Sequence, residues 1–134
     1  MLRVLFVCVE NANRSQMAEA FARRIGGDRI DAHSAGSRPS GRINPRAVAF
    51  MAERGIDLAA QRSKSLDEFG SVAFDAVVTM GCGDACPWIP ATWREDWALT
   101  DPKALDDAGF RQVRDEIEGR VTELLRALDA LPQP

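Results

Sequence analysis

The sequence predicts an α/β fold, a single-domain doubly wound parallel sheet of about four strands flanked by helices. The first observation is that apolar runs suited to buried strands alternate with segments of helical periodicity, which is typical of β-α-β units. The second is that the 134 residues show no repeat, low-complexity tract or linker, so residues 1–134 are interpreted as one domain. The third is a 46% apolar fraction, which is enough to build one core.

Four segments are predicted to be strands. Leu2–Cys8 is nearly all apolar and rich in Val and Leu, as expected for a strand that is buried on both faces. Phe74–Met80 is a second strongly apolar strand, whereas Arg29–Ser34 and Glu95–Leu99 are shorter candidates. Because ligands bind at the carboxyl ends of parallel strands, we expect the residues that follow the two apolar strands to form a site.

Three segments are predicted to be helices. Ser15–Ile25 carries apolar residues at helical spacing and is followed by two glycines. Asn44 is a suitable N-cap before Pro45, and this second helix is predicted to end at Gly55. The last helix is the clearest, because apolar residues recur every three or four positions over residues 110–131.

Charge and composition exclude several classes of function. The net charge is −3 and no basic patch is evident, so we expect no nucleic-acid partner. No apolar run approaches the roughly 18 residues of a membrane span, so we expect no membrane partner. The three cysteines, Cys8, Cys82 and Cys86, are an odd number, which favours a reducing compartment over a secreted disulfide framework. A cytoplasmic location is therefore predicted.

The segment from Cys8 to Ser15 carries the strongest functional signal. Its Cys-x5-Arg-Ser spacing lies between a predicted strand and a predicted helix. Such a loop can turn its backbone N–H groups towards a tetrahedral oxyanion, and the helix N-terminus adds positive charge that also favours a thiolate at Cys8. Arg14 can hold two oxygens of the anion, and Ser15 can donate a hydrogen bond to the sulfur. The predicted substrate-binding residues are Val9, Glu10, Asn11, Ala12, Asn13 and Arg14.

A buried cysteine followed by a helix-capping loop is the structural alternative to this interpretation. The strand–loop–helix context and the final Arg-Ser favour catalysis by Cys8. The pattern C-x-x-N-x-x-R-S after an amino-terminal strand resembles the signature of low-molecular-weight tyrosine phosphatases and of the arsenate reductases that share their fold.

The resemblance extends over nearly the whole chain and implies a low-molecular-weight phosphatase-like fold. Ser34-Ala35-Gly36 is similar to the second-strand segment of the family, and Asp101-Pro102 is similar to its late acidic loop. Glu10 departs from the family pattern, because many members have Gly there. Asn13 stands where many members carry a second loop cysteine, which removes a disulfide within the loop as a redox option.

Phosphatase and reductase share the first step, attack by a thiolate on the oxyanion or its ester. Thiols do not reduce phosphorus(V), whereas an arsenic–cysteine adduct can be reduced if a second thiol attacks the first sulfur. Cys82 and Cys86 are the candidates, and on a helical turn their Cα atoms would be roughly 6 Å apart, within disulfide range. They could instead be an inert helix face, or bind zinc together with Cys8, although His33 is the only histidine.

The sequence therefore favours an arsenate reductase, in which Cys8 attacks arsenate and Cys82 and Cys86 relay the disulfide to an external reductant. The alternatives are a tyrosine phosphatase and a thiol module that senses oxyanions or arsenite without turnover. Tyr is absent, and Lys103 follows Pro102 where phosphatases often have Tyr.

Further expectations come from the resemblance. Asp101 is the expected general acid, and no cofactor is implied other than an optional potassium ion near Asn11, Glu19 and Ser34. We expect a monomer that uses a thioredoxin-like protein as its reductant, with a low-molecular-weight thiol as the alternative donor.

Overall fold

A computed structural model of the chain describes residues 1–81 and 89–129, and its sheet contains four parallel strands. These are β1 (Leu2–Cys8), β2 (Ile30–Gly36), β3 (Phe74–Thr79) and β4 (Ala91–Asp96), in the order β2-β1-β3-β4. The predicted fold class is confirmed. After β2 the chain crosses back over β1 to form β3, so the topological switch point lies between β1 and β3, where such sheets bind ligands.

Among the described residues, three α-helices accompany the sheet: α1 (Arg14–Gly26), α2 (Pro45–Ala52) and α3 (Asp107–Asp129). Asn44 caps α2 as predicted, since its side chain accepts a hydrogen bond from the N–H of Arg46. The predicted end of α2 at Gly55 is wrong, because the helix ends at Ala52 and a turn follows. Within the two described ranges, no helix is long and apolar enough to cross a membrane.

The fourth strand lies earlier than predicted. The sequence indicated Glu95–Leu99, but β4 is Ala91–Asp96, at the edge of the sheet. Trp97 and Leu99 are buried, which explains the apolar signal, yet they belong to the segment that leaves the strand. The N–H of Leu99 donates to the carbonyl of Trp97 at 2.8 Å, a tight turn that ends the extended chain.

The two faces of the sheet are covered differently. On one face, Phe6, Val78 and their neighbours form a cluster with residues of all three α-helices. On the other face, Leu5, Val77 and their neighbours pack against Phe69, which belongs to the short 3-10 helix Leu66–Phe69. Further 3-10 turns cover Gly27–Arg29, Leu58–Ala60 and Pro102–Ala104. Among the described residues, the α-helices therefore share one face of the sheet.

An ion-pair cluster joins the end of α2 to α3. The carboxylate of Glu53 accepts hydrogen bonds from Arg111 at 2.9 Å and from Arg114 at 2.6 Å. These hydrogen bonds lower the pKa of Glu53 from 4.5 to about 2, and the bond from Arg111 has the largest effect. The carboxylate is consequently charged over the whole range in which most proteins are folded.

Candidate active site

Cys8 is the last residue of β1, and its thiol is held at the N-terminus of α1. Its side chain is buried, with 2% of its surface exposed. The hydroxyl oxygen of Ser15 lies 2.8 Å from Cys8 Sγ, and the N–H of Asn11 donates to the same sulfur at 3.2 Å. Two hydrogen-bond donors thus converge on one sulfur atom, an arrangement that stabilises a thiolate.

The direction of the hydrogen bond between Ser15 and Cys8 follows from the backbone. The N–H of Lys64, which can only donate, points at Asn11 Oδ1 over 2.9 Å. This contact fixes the orientation of the Asn11 amide, whose Nδ2 then donates to Ser15 Oγ at 2.8 Å. Because Ser15 Oγ accepts that bond, its own hydrogen is available for the sulfur. Ser15 is therefore oriented as the donor to Cys8.

Asn11 is held in an uncommon backbone conformation, with φ of 52°. Asn adopts this left-handed region more readily than most residues. Gly36, the partner of Cys8 in β2, leaves room for the loop: a Cβ at Gly36 would lie 2.5 Å from the carbonyl oxygen of Val9. The Ser34-Ala35-Gly36 segment thus has a steric reason for its glycine, which lets the loop cross close above β2.

Arg14 occupies the first turn of α1 and is almost fully buried. Its Nη1 donates to the carbonyl oxygen of Leu99 at 3.0 Å, and its Nη2 lies 3.8 Å from Asp101 Oδ2. Asp101 also accepts a hydrogen bond from the N–H of Lys103 at 3.0 Å. The segment that contains Leu99 and Asp101 therefore holds the Arg14 guanidinium in place. The side chains of Arg14 and Asp101 both lie at the loop that follows Cys8.

The end of β3 approaches the same guanidinium. The N–H of Met80 donates to the carbonyl of Val7 at 2.8 Å, so this chain still runs beside β1 at the site. Gly81 follows with φ of +79°, and a Cβ there would lie 2.7 Å from Arg14 Nη1. Cys82 and Cys86, the two predicted relay residues, lie outside the described residues. Gly81, the residue that precedes Cys82, therefore lies beside the Arg14 guanidinium.

A small cavity opens at the Cys8 loop, with a volume of about 10 Å³. This is about the space of one water-sized sphere and far below the roughly 300–1,000 Å³ of pockets that enclose drug-sized ligands, so the cavity is a narrow cleft. It is lined by Cys8, Glu10, Ala12, Asn13, Arg14 and Asp101.

Two predicted substrate-binding residues turn their side chains away from this cavity. Val9 packs on the opposite sheet face, and Asn11 points to Ser15. Their backbone groups remain part of the loop. The side-chain oxygen of Asn13 is buried and has no hydrogen-bond partner among the described residues.

The residues proposed for potassium do lie together. Ser34 Oγ donates to Glu19 Oε1 at 2.6 Å, and both side chains are buried. The ammonium of Lys64 lies 3.4 Å from each of these two oxygens. Asn11 joins the group through its bond from the Lys64 backbone. A cationic side chain therefore already neutralises the Glu19 carboxylate.

Three residues of this site were missed in the sequence. Gln16 is fully buried, and its Nε2 donates to Asn11 Oδ1 at 2.8 Å and to the carbonyl of Arg62 at 2.8 Å. Lys64 and Gln61 complete the network, the latter donating to Gln16 Oε1 at 2.7 Å. The one signal available in the sequence was a polar glutamine that stands next to the apolar residues of the first helix. Its partners beyond the loop, Gln61 and Arg62, are more than 40 positions away, so they give no local pattern.

Comparison with known proteins gives a consistent picture. The model of the family described as low molecular weight phosphotyrosine protein phosphatase matches residues 3–133. A glutaredoxin arsenate reductase from Synechocystis is 40% identical over 128 residues, which are 93% of this chain and 97% of the relative.

Solved structures agree with the sequence relatives. An arsenate reductase in the phosphate binding state superposes with a TM-score of 0.87 at 38% identity, covering 95% of this chain and 98% of the other. The thioredoxin-dependent arsenate reductase of Corynebacterium glutamicum gives a TM-score of 0.82 at 36% identity, covering 96% of this chain and 62% of that longer chain.

Proposed function

The chain belongs to the low molecular weight phosphotyrosine protein phosphatase family, and with its similarity to arsenate reductases we infer that it reduces arsenate, with Cys8 as the nucleophile. One observation carries the role of Cys8: its sulfur receives hydrogen bonds from Ser15 and from the N–H of Asn11, and it lines a small cavity together with Arg14 and Asp101. A thiolate stabilised in this way is a nucleophile.

In the first step, the Cys8 thiolate attacks arsenic and an arsenic–oxygen bond breaks. Asp101, at the rim of the cavity, protonates the departing oxygen, which leaves as water. Arg14 and the N–H groups at the start of α1, which have no partners within the helix, hold the remaining oxygens. Arsenic is still in the +5 state and is bonded to the Cys8 sulfur.

Reduction follows by attack of the Cys82 thiolate on the Cys8 sulfur. A disulfide forms, the electron pair of the sulfur–arsenic bond goes to arsenic, and arsenite leaves in the +3 state. Cys86 then attacks Cys82, which releases the Cys8 thiolate and leaves a Cys82–Cys86 disulfide. The position of Gly81 against Arg14 supports this order, because Cys82 follows it directly.

A thioredoxin-like protein is the proposed donor that reduces the final disulfide. A disulfide presented by a cysteine outside the loop can be reached by a protein, whereas Cys8 itself is buried. The relatives include enzymes named for thioredoxin and for glutaredoxin. Both of these named donors are dithiol proteins. We propose that the protein acts as a monomer in the cytoplasm, where such donors are kept reduced.

An assay of reductant consumption tests the proposed function. The protein is combined with thioredoxin, thioredoxin reductase and NADPH, with and without arsenate. Consumption of NADPH that requires arsenate, and that is lost in Cys8→Ser, is the expected result. Release of phosphate from an aryl ester without that consumption would identify a phosphatase, and neither activity would identify a sensing module.

Mass spectrometry of two variants after arsenate addition tests the relay. Cys82→Ser should stop with arsenic bound to Cys8, and Cys86→Ser should complete one reduction and stop as a Cys8–Cys82 disulfide. The reverse pattern would exchange the two roles, and the absence of any disulfide in both variants would reject the relay.

A further inference from the structure

One ion pair crosses the mouth of the cavity. Lys103 Nζ lies 3.3 Å from Glu10 Oε2, which joins the anion loop to the segment that carries Asp101. Glu10 and Asp101 both line the cavity, so the pair connects its two rims.

Both partners are fixed through their backbones. The carbonyl oxygen of Glu10 accepts hydrogen bonds from the N–H of Ser40 at 3.0 Å and from Ser63 Oγ at 3.2 Å. Lys103 donates its N–H to Asp101 at 3.0 Å, and its carbonyl accepts from Arg46 at 3.3 Å. The two side chains are 41% and 55% exposed, so the contact itself is at the surface of the opening.

The charge of Glu10 opposes the anion that the loop attracts. A carboxylate at the rim repels a dianion, and at this degree of exposure salt screens the repulsion only in part. The ammonium of Lys103 cancels that charge where the anion enters. The net charge of the rim is therefore zero while both residues are present, and the loss of Lys103 alone leaves the repulsion in place.

The pair also limits the shape of the substrate. The organic group of an ester would have to extend past the loop and the Asp101 segment, which Glu10 and Lys103 join, whereas a free oxyanion carries no such group. An aromatic residue after Asp101-Pro102 would stack on an aryl group, and a lysine held by Glu10 does not.

From these relations we propose that the Glu10–Lys103 pair determines specificity: it admits inorganic oxyanions and excludes aryl phosphate esters. The proposal rests on the arsenate reductase function and on the site at Cys8. Glu10 and Lys103 are specificity residues in this account, and they take no part in bond making or breaking.

A double-mutant cycle tests the charge component. Lys103→Ala should raise the KM for arsenate about fivefold at low salt, and the increase should shrink as KCl screens Glu10. Glu10→Ala should lower the KM, because the Lys103 charge is then unopposed, and Glu10→Ala/Lys103→Ala should have nearly the arsenate KM of the wild type, because no net charge is left at the rim. Arg29→Ala, which removes an exposed pair with Asp129 at the opposite end of the sheet, is the matched control. An unchanged KM in Lys103→Ala would overturn the charge role.

Hydrolysis of p-nitrophenyl phosphate tests the exclusion of esters. Its kcat/KM should rise at least tenfold in Glu10→Ala/Lys103→Ala, and a further Cys8→Ser change should abolish the gain. Ester hydrolysis equal to the wild type would overturn the exclusion role. If the proposed function itself were wrong, the result would be different, because the wild-type protein would then consume no reductant in the presence of arsenate. The melting temperature of each variant confirms that it is folded.

Discussion

Gly81 lies directly against the guanidinium of Arg14, with room for no side chain between them. Both its φ of +79° and the 2.7 Å that would separate a Cβ from Arg14 Nη1 require glycine. We predict that Gly81→Ala displaces Arg14 and lowers arsenate kcat/KM by roughly 100-fold, the loss expected when a positioned anion-binding group is misplaced. Steady-state kinetics of the purified variant measure this.

Gly55→Ala is the matched control for that variant. Its φ of +73° is similar, but its Cβ would lie 3.6 Å from Arg24, at ordinary contact distance. Gly55→Ala should be destabilised as Gly81→Ala is, and its turnover should stay within twofold of the wild type. Equal activity of the two variants would show that Arg14 does not depend on Gly81.

The hydroxyl of Ser15 should matter for the chemistry at Cys8. Ser15→Ala removes its 2.8 Å contact with the sulfur, and a hydrogen bond to a charged group contributes about 1.5–3 kcal/mol. Single-turnover formation of arsenite should therefore slow by roughly 10- to 100-fold. Ser37→Ala is the control, because the Ser37 hydroxyl is buried without a partner among the described residues. Identical rates in the two variants would remove Ser15 from the mechanism.

Arg14→Lys should lose most of the affinity and rate for arsenate. An ammonium cannot donate to the Leu99 carbonyl and grip two anion oxygens in one plane. We expect kcat/KM to fall by roughly 100-fold, as when a preorganised donor is removed from an oxyanion site. Arg24→Lys, which changes an exposed arginine that bonds to Arg54, is the control in the same assay. Turnover like that of the wild type would mean that the anion is held by other groups.

The lowered pKa of Glu53 predicts a pH dependence of stability. Its pKa is about 2 in the folded protein and 4.5 in the unfolded chain, so folding favours the deprotonated form. The resulting stability is complete above pH 4.5 and is lost as the pH falls towards 2. Urea unfolding should show Glu53→Gln less stable than the wild type at pH 7, with the difference shrinking below pH 4.5. A difference that stays constant down to pH 2.5 would contradict the assignment of this effect to Glu53.

A potassium ion near Asn11, Glu19 and Ser34 stays a prediction, and Lys64 provides its test. The Lys64 ammonium is 3.4 Å from Glu19 Oε1, so an added ion competes with a tethered cation. We expect the melting temperature of Lys64→Gln to rise more in KCl than in tetramethylammonium chloride of equal ionic strength. The wild type should respond to the two salts more similarly. An equal rise in the two salts for Lys64→Gln would exclude an ion at this carboxylate.

The sequence predicted most of the sheet and the anion loop, because both depend on local patterns. β1 was predicted to the residue, since a strand buried on both faces is a continuous apolar run. β4 was misplaced because Trp97 and Leu99 are buried although they lie after the end of the strand. A buried segment outside the sheet has the same apolar pattern in the sequence as a strand. Gln16 and Lys64 were missed because their partners are set by tertiary structure.

The contact between Arg14 and the carbonyl of Leu99 joins residues 85 positions apart. During synthesis, a nascent chain has made the whole loop from Cys8 to Ser15 long before Leu99 leaves the ribosome. Until β3 pairs with β1 and Leu99 arrives, Arg14 lacks its contact with the Leu99 carbonyl. The loop from Cys8 to Ser15 is thus translated early, but the support of its arginine comes from the second half of the chain, which a truncated product would lack.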